Sequence, residues 1–314
     1  MQSPFAVEVN DLPAQGRKDI YGAMNPLSMD RVFGSIQFDA PVPRGHRALR
    51  VRDLFPSVTT TANLIDFFRV MGFVGGDPGA AGSVKDYNAG NFGLKPKSQL
   101  VFEPDQAPVR TLAHWEAAHR NVLDDVPQLQ AVINSELMYG LQLEEDRQIL
   151  LGSGVNEELL GILNTTGVQT YTQSGAEQKS DALRRAATKA IIANYAPTGY
   201  VLHPYDWEDV ELQKGSGDGQ YMLVTNIAVG AQAQVWRQPV VETPAMPEGK
   251  FLTGAFGLGA QLYDRQQANI RIAEQHSDFF VRNAVAILAE ERLALATKRP
   301  ESFVKGTFSD APTS

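Results

Sequence analysis

Cysteine is absent from all 314 residues of the chain. Disulfide bonds, thiolate metal sites and cysteine nucleophiles are therefore excluded. Histidine is scarce as well, and His114 and His119 are spaced so that one face of a helix cannot hold both. We therefore expect no metal site and no cofactor. Apolar residues make up 43% of the chain, so a sizeable core can be buried.

Long apolar runs and an excess of basic residues are also missing. No segment approaches the ~20 consecutive apolar residues that a membrane-spanning helix needs. The formal net charge is −8 at pH 7, which does not suit a surface that neutralises nucleic-acid phosphates. Any nucleic acid associated with this chain is therefore expected to be contained rather than tightly bound.

Motifs for nucleotide binding and for hydrolysis are not found. The glycine-rich stretch 74–83 lacks the GK[ST] ending of a phosphate-binding loop. Gly254, Gly257 and Gly259 do not open a capped helix, as a dinucleotide fingerprint would. No Ser-His-Asp order stands out. We therefore expect a protein that is not an enzyme, and a small-molecule enzyme built on the central region is kept as a third interpretation.

The first third of the chain predicts an arm followed by a long hairpin. Residues 1–48 have spread prolines and glycines, and they are either a free tail or a strap on a neighbouring copy. Residues 49–54 predict a short strand that ends at Pro56. Apolar residues 62–73 and the return limb 91–110 predict a β-hairpin. A lone two-stranded ribbon is marginally stable in water, so we expect it to lie against another molecule.

The longest helical pattern follows the hairpin. One helical piece is predicted at 114–124, and a second begins at Pro127, because proline is tolerated in a first helical turn. The second piece is expected to end near Leu150, before Gly152. The acidic run 144–146 is interpreted as a solvated face. Apolar residues in the second piece follow helical spacing: Leu129, Val132, Ile133, Leu137 and Leu141.

Residues 152–264 predict an inserted α/β region. Residues 180–195 form an amphipathic helix with Ser180 as its cap, and 205–213 form a second helix. His203 is interpreted as a structural residue at a strand end. Short apolar strands are predicted at 199–202, 240–241 and 251–253.

The C-terminal stretch 278–308 alternates with a period of two, which indicates a strand with two different faces. Pro300 interrupts this strand, and 303–307 predict a hairpin-like return. Glu290 and Arg292 fall on the polar parity. The apolar parity contains Val281, Val285, Ile287, Leu293 and Leu295.

Two residues of this stretch are unusual for a plain core strand, Asn283 and Glu290. Their spacing is an odd number, so they point to opposite faces of a straight strand. One chain could hardly bring both to one reaction, whereas several copies could. The first core region is thus an α+β arrangement that combines a central helix with strands from near both ends of the chain.

Six separated blocks resemble the major capsid proteins of tailed bacteriophages, which share the Hong Kong 97 fold. They cover most of the chain after about residue 49. The resemblance implies an α+β capsid fold with an N-terminal arm, an extended E-loop hairpin, a P-domain with a long spine helix, and an α/β A-domain. The matching blocks are VRDLFP at 51–56, GLKPKS at 93–98, and longer segments at 111–141, 150–164, 199–214 and 279–308.

The resemblance also implies how the chain is divided. The implied order is an N-terminal arm at 1–48, a first part of the P-domain at 49–61, the E-loop at 62–110, the P-domain spine helix at 111–152, the A-domain at 153–264 and C-terminal P-domain strands at 265–314.

The implied function is shell building. Hexamers and pentamers would close an icosahedral capsid around double-stranded DNA without sequence-specific binding. The protein would be assembled in the host cytoplasm and remain in the virion. The implied partners are further copies of the chain, with a portal, a scaffold or prohead protease, and decoration proteins; no membrane is involved. An encapsulin-like nanocompartment is the alternative.

A covalent cross-link between subunits is a further implication of the resemblance. In the type member, a Lys of the E-loop in a Leu-Lys-Pro setting joins an Asn of the P-domain, and a Glu seven residues later accepts the proton. The matching residues here are Lys95, Asn283 and Glu290. The chemistry is sound, because a neutral lysine amine can attack an amide and release ammonia.

Overall fold

The structure is a computed structural model, and its secondary structure can be described for most of the chain after residue 50. Its described residues belong to two compact units. Unit 1 draws on Met1–Arg47, Ala113–Leu141 and Ala268–Glu291, and unit 2 on Ala48–Leu112, Gln142–Gln267 and Arg292–Ser314. The described residues are 45–46, 51–74, 99–120, 127–175, 177–213, 233–275 and 279–309.

Within these ranges the chain forms twelve strands, four α-helices and three short 3-10 helices. The strands are β1 Ser57–Thr59, β2 Leu64–Val74, β3 Gln99–Pro108, β4 Arg110–His119, β5 Gln169–Thr172, β6 Gly199–Leu202, β7 Gln234–Val235, β8 Gln238–Glu242, β9 Lys250–Gly254, β10 Ala260–Ala273, β11 Ala284–Thr297 and β12 Phe303–Thr307. The α-helices are α1 Pro127–Leu151, α2 Lys179–Ile192, α3 Pro204–Glu211 and α4 Phe256–Gly259. The 3-10 helices are Arg52–Leu54, Ile162–Asn164 and Pro300–Ser302.

The predicted hairpin is confirmed in its two described limbs. Strands β2 and β3 pair antiparallel, from Leu64 opposite Pro108 to Val74 opposite Gln99, with a register shift after Val70. One face of the ribbon packs Ala107 against Ala294 and Ala296, two buried residues of β11. On the other face the described side chains of Phe68 and Phe102 are 69% and 56% exposed. The hairpin tip lies outside the described residues.

The strand predicted at 49–54 is wrong. Its described part forms the 3-10 helix Arg52–Leu54, held by hydrogen bonds from the Leu54 amide to the Val51 carbonyl and from the Phe55 amide to the Arg52 carbonyl. The first described strand is β1, which pairs parallel with β10. A turn is favoured here because the Arg52 side chain bonds two acidic residues that are distant in sequence.

The helix predicted at 114–124 is also wrong in its described part, where β4 runs to His119. Leu112 and Ala118 are buried and lie six residues apart, which places them on one parity of a strand. Pairing supports the strand, since β4 lies next to β11 in a four-stranded sheet of order β1-β10-β11-β4. Sheet pairing of this kind overrides weak local helix propensity.

Helix α1 is confirmed as the longest described helix. Its 25 residues span about 37 Å at 1.5 Å per residue. Ile133, Leu137 and Leu141 are buried, as their helical spacing predicts. Within unit 1, the ring Nε2 of His114 lies 2.6 Å from the Leu137 carbonyl oxygen. The missing side chain of Gly140 makes room for this ring, because a Cβ there would lie 2.8 Å from the His114 Cε1.

The predicted α/β region contains a six-stranded mixed sheet of order β5-β12-β9-β6-β8-β7, which packs against α2 and α3. Ser180 does not cap α2 as predicted, because the helix begins one residue earlier and Gln178 takes the cap position without a side-chain hydrogen bond. His203 is confirmed as structural, since its ring Nδ1 accepts a hydrogen bond from the Tyr205 amide at the start of α3. The largest core residues include Tyr200, Phe251, Leu183, Leu202, Trp207 and Phe308.

The hairpin-like return predicted after Pro300 is wrong. Strand β11 belongs to the four-stranded sheet, whereas β12 pairs parallel with β5 and antiparallel with β9 in the six-stranded sheet. The 3-10 helix Pro300–Ser302 turns the chain between the two sheets. The Arg299 amide bonds the Gly259 carbonyl, and the Ala255 amide bonds the Ser302 carbonyl. The C-terminal stretch therefore joins two sheets.

The turn between these sheets generates a stability prediction at α4. A Cβ on Gly259 would lie 2.2 Å from the Ser302 Oγ and 2.4 Å from the Phe303 ring, whereas a Cβ on Gly257 meets no atom within 4 Å. Gly259→Ala should therefore destabilise the chain by about 1–3 kcal/mol through overpacking. Gly257→Ala, the matched control, should change stability by less than about 1 kcal/mol. Urea unfolding of the unassembled full chain measures both, and equal stability of the two variants would contradict the packing described here.

Candidate functional site

A tight turn in unit 1 presents Asn283. The amides of Arg282 and Ala284 both bond the Phe279 carbonyl, at 3.2 and 2.9 Å. Asn283 has φ of 51°, a left-handed conformation that asparagine tolerates better than most residues. Its side chain is exposed, and its carbonyl accepts a 2.7 Å hydrogen bond from the Arg120 amide. The backbone of this residue is thus fixed on both sides while its amide side chain faces outward.

The same turn carries apolar side chains at the surface. Phe280 and Val281 are 77% and 78% exposed, while the Phe279 ring lies 6.4 Å from the Trp115 ring. Val281 was predicted on the buried parity of the strand, and this is wrong because β11 begins only at Ala284. A turn that exposes two apolar residues offers a surface that another molecule can cover.

Glu290 lies on β11, on the parity predicted to be polar. Val285, Ile287 and Ala289 are buried on the opposite parity, so the predicted two-faced strand is confirmed here. The Glu290 side chain is 17% exposed. One of its oxygens, Oε1, lies 3.0 Å from the Nη2 of Arg271 on β10. The carboxylate is therefore held at a partly open surface beside a cation.

The distance along the strand keeps Asn283 and Glu290 of one chain apart. Because a strand rises about 3.3 Å per residue, the path along β11 from Ala284 to Glu290 covers about 20 Å. The two were predicted to point to opposite faces of one strand, but Asn283 lies in the turn, so the parity rule does not apply to it. Their separation leads to the same conclusion, that one copy does not bring both groups to one bond.

Lys95 lies outside the described residues. The described limbs of the hairpin end at Val74 on one side and begin at Gln99 on the other. Of the three residues that the resemblance selects, the structure thus places Asn283 and Glu290 in unit 1 and leaves the lysine as a prediction.

A second polar cluster was missed by the sequence interpretation. The run 144–146 was predicted to be a solvated face, but Glu145 and Asp146 are buried. Arg52 donates to Glu145 through Nη1 and to Asp264 through Nη2, the latter at 2.6 Å. The signal that could have revealed this cluster is weak, because a single arginine 93 residues away in the sequence supplies the partner.

Burial raises the pKa of the Glu145 carboxyl to about 7, with Arg52 opposing the shift and Asp146 and Asp264 adding to it. Three carboxylates and one guanidinium therefore share this interior of unit 2. Glu144, on the same helix, behaves differently: hydrogen bonds from Arg147 lower its pKa, against the effect of burial. The cluster ties the 3-10 helix Arg52–Leu54 to α1 and β10.

A cavity of about 210 Å³ in unit 2 bears on the enzyme interpretation. It lies between the base of the hairpin and the loop 153–160, and Phe67 and Leu295 contribute apolar walls. Its charged side chains are engaged, because Arg69 pairs with Asp105 and Glu158 bonds Arg147 and Ser153. The cavity therefore contains structural ion pairs rather than a set of catalytic groups.

None of the described helices is both long and apolar enough to cross a membrane. Among the described residues, no group of three or more His, Asp or Glu side chains is placed to hold a metal ion.

Comparison with known proteins shows that the chain is similar to phage capsid proteins. A model of the phage capsid family matches residues 44–308. The chain is 34% identical over 275 residues to the major capsid protein of Enterobacteria phage HK97, covering 87% of this chain and 69% of that protein.

Solved structures show the same fold at low identity. The capsid of a native GTA particle superposes with a TM-score of 0.71 at 17% identity, covering 91% of this chain and 98% of that chain. A structure from Gordonia phage Cozz gives a TM-score of 0.66 at 16% identity, with 95% and 98% covered. One from Microbacterium phage Oxtober96 gives 0.68 at 14%, with 88% and 96% covered.

The buried carboxyl of Glu145 generates a pH prediction. Its folded pKa is raised from 4.5 to about 7, so the folded chain holds this proton more tightly than the unfolded chain. The stability contribution is full below pH 4.5 and is lost as pH rises towards 7. Glu145→Gln should therefore gain stability relative to the unsubstituted chain between pH 5 and pH 8, by about 1–3 kcal/mol. Urea unfolding at the two pH values measures the gain.

Glu144→Gln is the control on the same helix. The pKa of Glu144 is lowered, so its contribution is lost only as pH falls below its ordinary range. Its effect on stability should be the same at pH 5 and pH 8. A pH-independent effect of Glu145→Gln would contradict the assignment of Glu145 as a buried, readily protonated carboxyl.

Proposed function

The chain belongs to the phage capsid family, and from this membership we propose that it is the major capsid protein of a tailed bacteriophage. Copies of it associate with one another to build the shell of the virion. The observation that carries this function is the family match over 44–308, together with 34% identity to the HK97 major capsid protein. The solved capsid structures support the fold.

The proposed division of the chain follows the family. Residues 1–48 form an arm, 62–110 the E-loop, 153–264 the A-domain, and 49–61, 111–152 and 265–314 the P-domain. The hairpin limbs β2 and β3 support the E-loop, and the six-stranded sheet supports the A-domain. The spine helix starts at Pro127, so 111–119, most of β4, contribute a strand to the P-domain instead.

Self-association is the central partner relationship. The exposed rings of Phe68 and Phe102 on a two-stranded ribbon support it, because such a ribbon gains stability when another surface covers its apolar face. Hexamers and pentamers then close an icosahedral shell around double-stranded DNA. A portal, a scaffold or prohead protease, and decoration proteins complete the proposed set of partners. The net charge of −8 favours containment of the DNA over tight binding.

An encapsulin-like nanocompartment would use a related shell to enclose enzymes. The curated relative at 34% identity is a phage capsid protein, and this favours the phage function. The contents of purified particles, DNA or protein cargo, decide between the two.

Covalent cross-linking of the shell is the second part of the proposal. Lys95 of one copy attacks the side-chain amide of Asn283 in another, and Glu290 accepts the proton. The exposed amide of Asn283 on a fixed backbone and the partly open carboxylate of Glu290 support these roles. The path of about 20 Å between them in one chain requires a site built from several copies.

Shell formation is tested by electron microscopy of the expressed full chain. Closed particles or hexameric rings are expected, because the family builds shells from repeated copies. Discrete monomers or dimers at high protein concentration would contradict the proposed function, whatever the outcome for cross-linking.

Cross-linking is tested on purified particles boiled in detergent and separated on a gel. A ladder above the monomer band is expected, and Lys95→Arg should reduce it to a single band at monomer mass, since the guanidinium remains protonated and cannot attack. Lys97→Arg, two residues away, is the control and should retain the ladder. A ladder that persists in Lys95→Arg would exclude this lysine.

The amide is tested by Asn283→Asp, which replaces it with a carboxylate that does not react with an amine. Loss of the ladder with intact particles is expected. Asn194→Asp is a matched control, because Asn194 is also exposed and left-handed, with φ of 68°. Particles of Asn194→Asp should form the ladder, whereas particles of Asn283→Asp should not. In the Asn194→Asp particles, mass spectrometry should find that one ammonia is lost for each cross-link.

A further inference from the structure

Arg299 connects the turn between the two sheets to the hairpin of β2 and β3. Its guanidinium donates through Nη1 to the backbone carbonyl of Val70 on β2, at 3.0 Å. Its own backbone is held in place, because its amide bonds the Gly259 carbonyl at 2.9 Å and its carbonyl accepts the Ser302 hydroxyl at 2.6 Å. All of these residues belong to unit 2. A hydrogen bond from an ionised donor on an anchored residue restrains the hairpin more firmly than a neutral one would.

The hairpin is also attached near its base. Ala107 on β3 packs with two buried alanines of β11, and Ile65 on β2 lies opposite Ala107 in the ribbon. Val70 is five residues further along β2 than Ile65, so Arg299 acts about 17 Å beyond this base contact, at about 3.3 Å per residue. A restraint so far from the base fixes the angle of the hairpin, which contacts between small side chains at the base do not.

A cavity lies under the hairpin between these two attachments. It has a volume of about 210 Å³, and on the hairpin side it is lined by Phe67 and Arg69, which lie between Ile65 and Val70. Leu295 and the loop 153–160 form part of its other side. Side chains that face a void have no partner atoms across it. Packing therefore does little to hold this part of the hairpin, and its angle depends on the arginine.

We propose that Arg299 is a latch that fixes the angle at which the hairpin leaves the body of unit 2, defined here as the six-stranded sheet with α2 and α3. The latch acts at Val70, immediately before the register shift of the ribbon. A hairpin held at one angle is pre-organised to cover a neighbouring copy, and pre-organisation reduces the conformational freedom that is lost on association. This consequence for assembly rests on the proposed function, whereas the latch itself does not.

The test measures a distance across unit 2 by double electron-electron resonance. Because the chain has no cysteine, spin labels attach only at two introduced sites, Glu103→Cys on the hairpin and Ile192→Cys on α2, both of which are exposed. Labelled chain is diluted with an excess of unlabelled chain, so that only distances within one copy are measured. A single narrow distance is expected with Arg299. Arg299→Gln should widen the distribution about twofold, because glutamine lacks the charged, forked donor.

Lys298→Gln is the matched control in the same turn. The Nζ of Lys298 bonds the side chain of Gln261 on β10 rather than the hairpin. This variant therefore loses a comparable side-chain contact, and its distance distribution should equal that of the unsubstituted chain.

A second pair of labels, Ile192→Cys and Glu248→Cys, lies wholly within the body of unit 2, where Glu248 is also exposed. Arg299→Gln should leave this second distribution unchanged. Equal widening of both pairs would show that Arg299 supports the fold of unit 2 in general, and this would overturn the latch. An unchanged distribution for the pair that includes Glu103→Cys would overturn it as well.

The consequence for assembly is measured by light scattering at equal protein concentrations. Arg299→Gln should form particles about fivefold more slowly, because a hairpin that samples many angles must be ordered on association, and Lys298→Gln should match the unsubstituted chain. Equal rates for Arg299→Gln and the unsubstituted chain would overturn this consequence. If the unsubstituted chain forms no particles, the proposed function is wrong, and the distance measurement still decides whether Arg299 is a latch.

Discussion

The chain from Ala284 to Thr307 belongs to two different sheets, and much of the architecture follows from this constraint. Its first strand, β11, lies between β10 and β4, and its second, β12, lies between β5 and β9. The connecting turn must therefore be short and closely packed, and Gly259 supplies the space for it. Because β11 is central in its sheet, pairing with neighbours on both sides fixes which parity points to each face of the sheet. The half-exposed parity is then free to carry Glu290 at the surface.

Local sequence patterns predicted the structure correctly where it depends on neighbouring residues alone. The alternation around Ile287 and Glu290 predicts the buried and exposed faces of β11 correctly, because side chains of a strand alternate whatever its partner is. The start of α1 at Pro127 and its end before Gly152 are likewise encoded in the residues themselves. The overall fold does not follow from such local patterns, and it was predicted from the resemblance of six separated blocks to a known family.

The errors arose where distant partners decide the outcome. Residues 114–119 were predicted to be helical, and a strand that lies far away in the sequence, β11, pairs with them in the extended form. Glu145 was predicted to be solvated because acidic side chains are seldom buried unless they are paired. Its partner Arg52 lies outside any local window. Asn283 was assigned to a strand, whereas it lies in a left-handed turn, where its carbonyl accepts a hydrogen bond from the distant Arg120 amide.

The proposed cross-link uses a site that one copy cannot complete, and this couples the reaction to assembly of the shell. Extended backbone is stiff, so the path of about 20 Å along β11 keeps Glu290 of one chain away from the Asn283 amide of the same chain. Under the proposed function, the reaction therefore requires neighbouring copies in the correct geometry, and a bond forms only where such a contact exists.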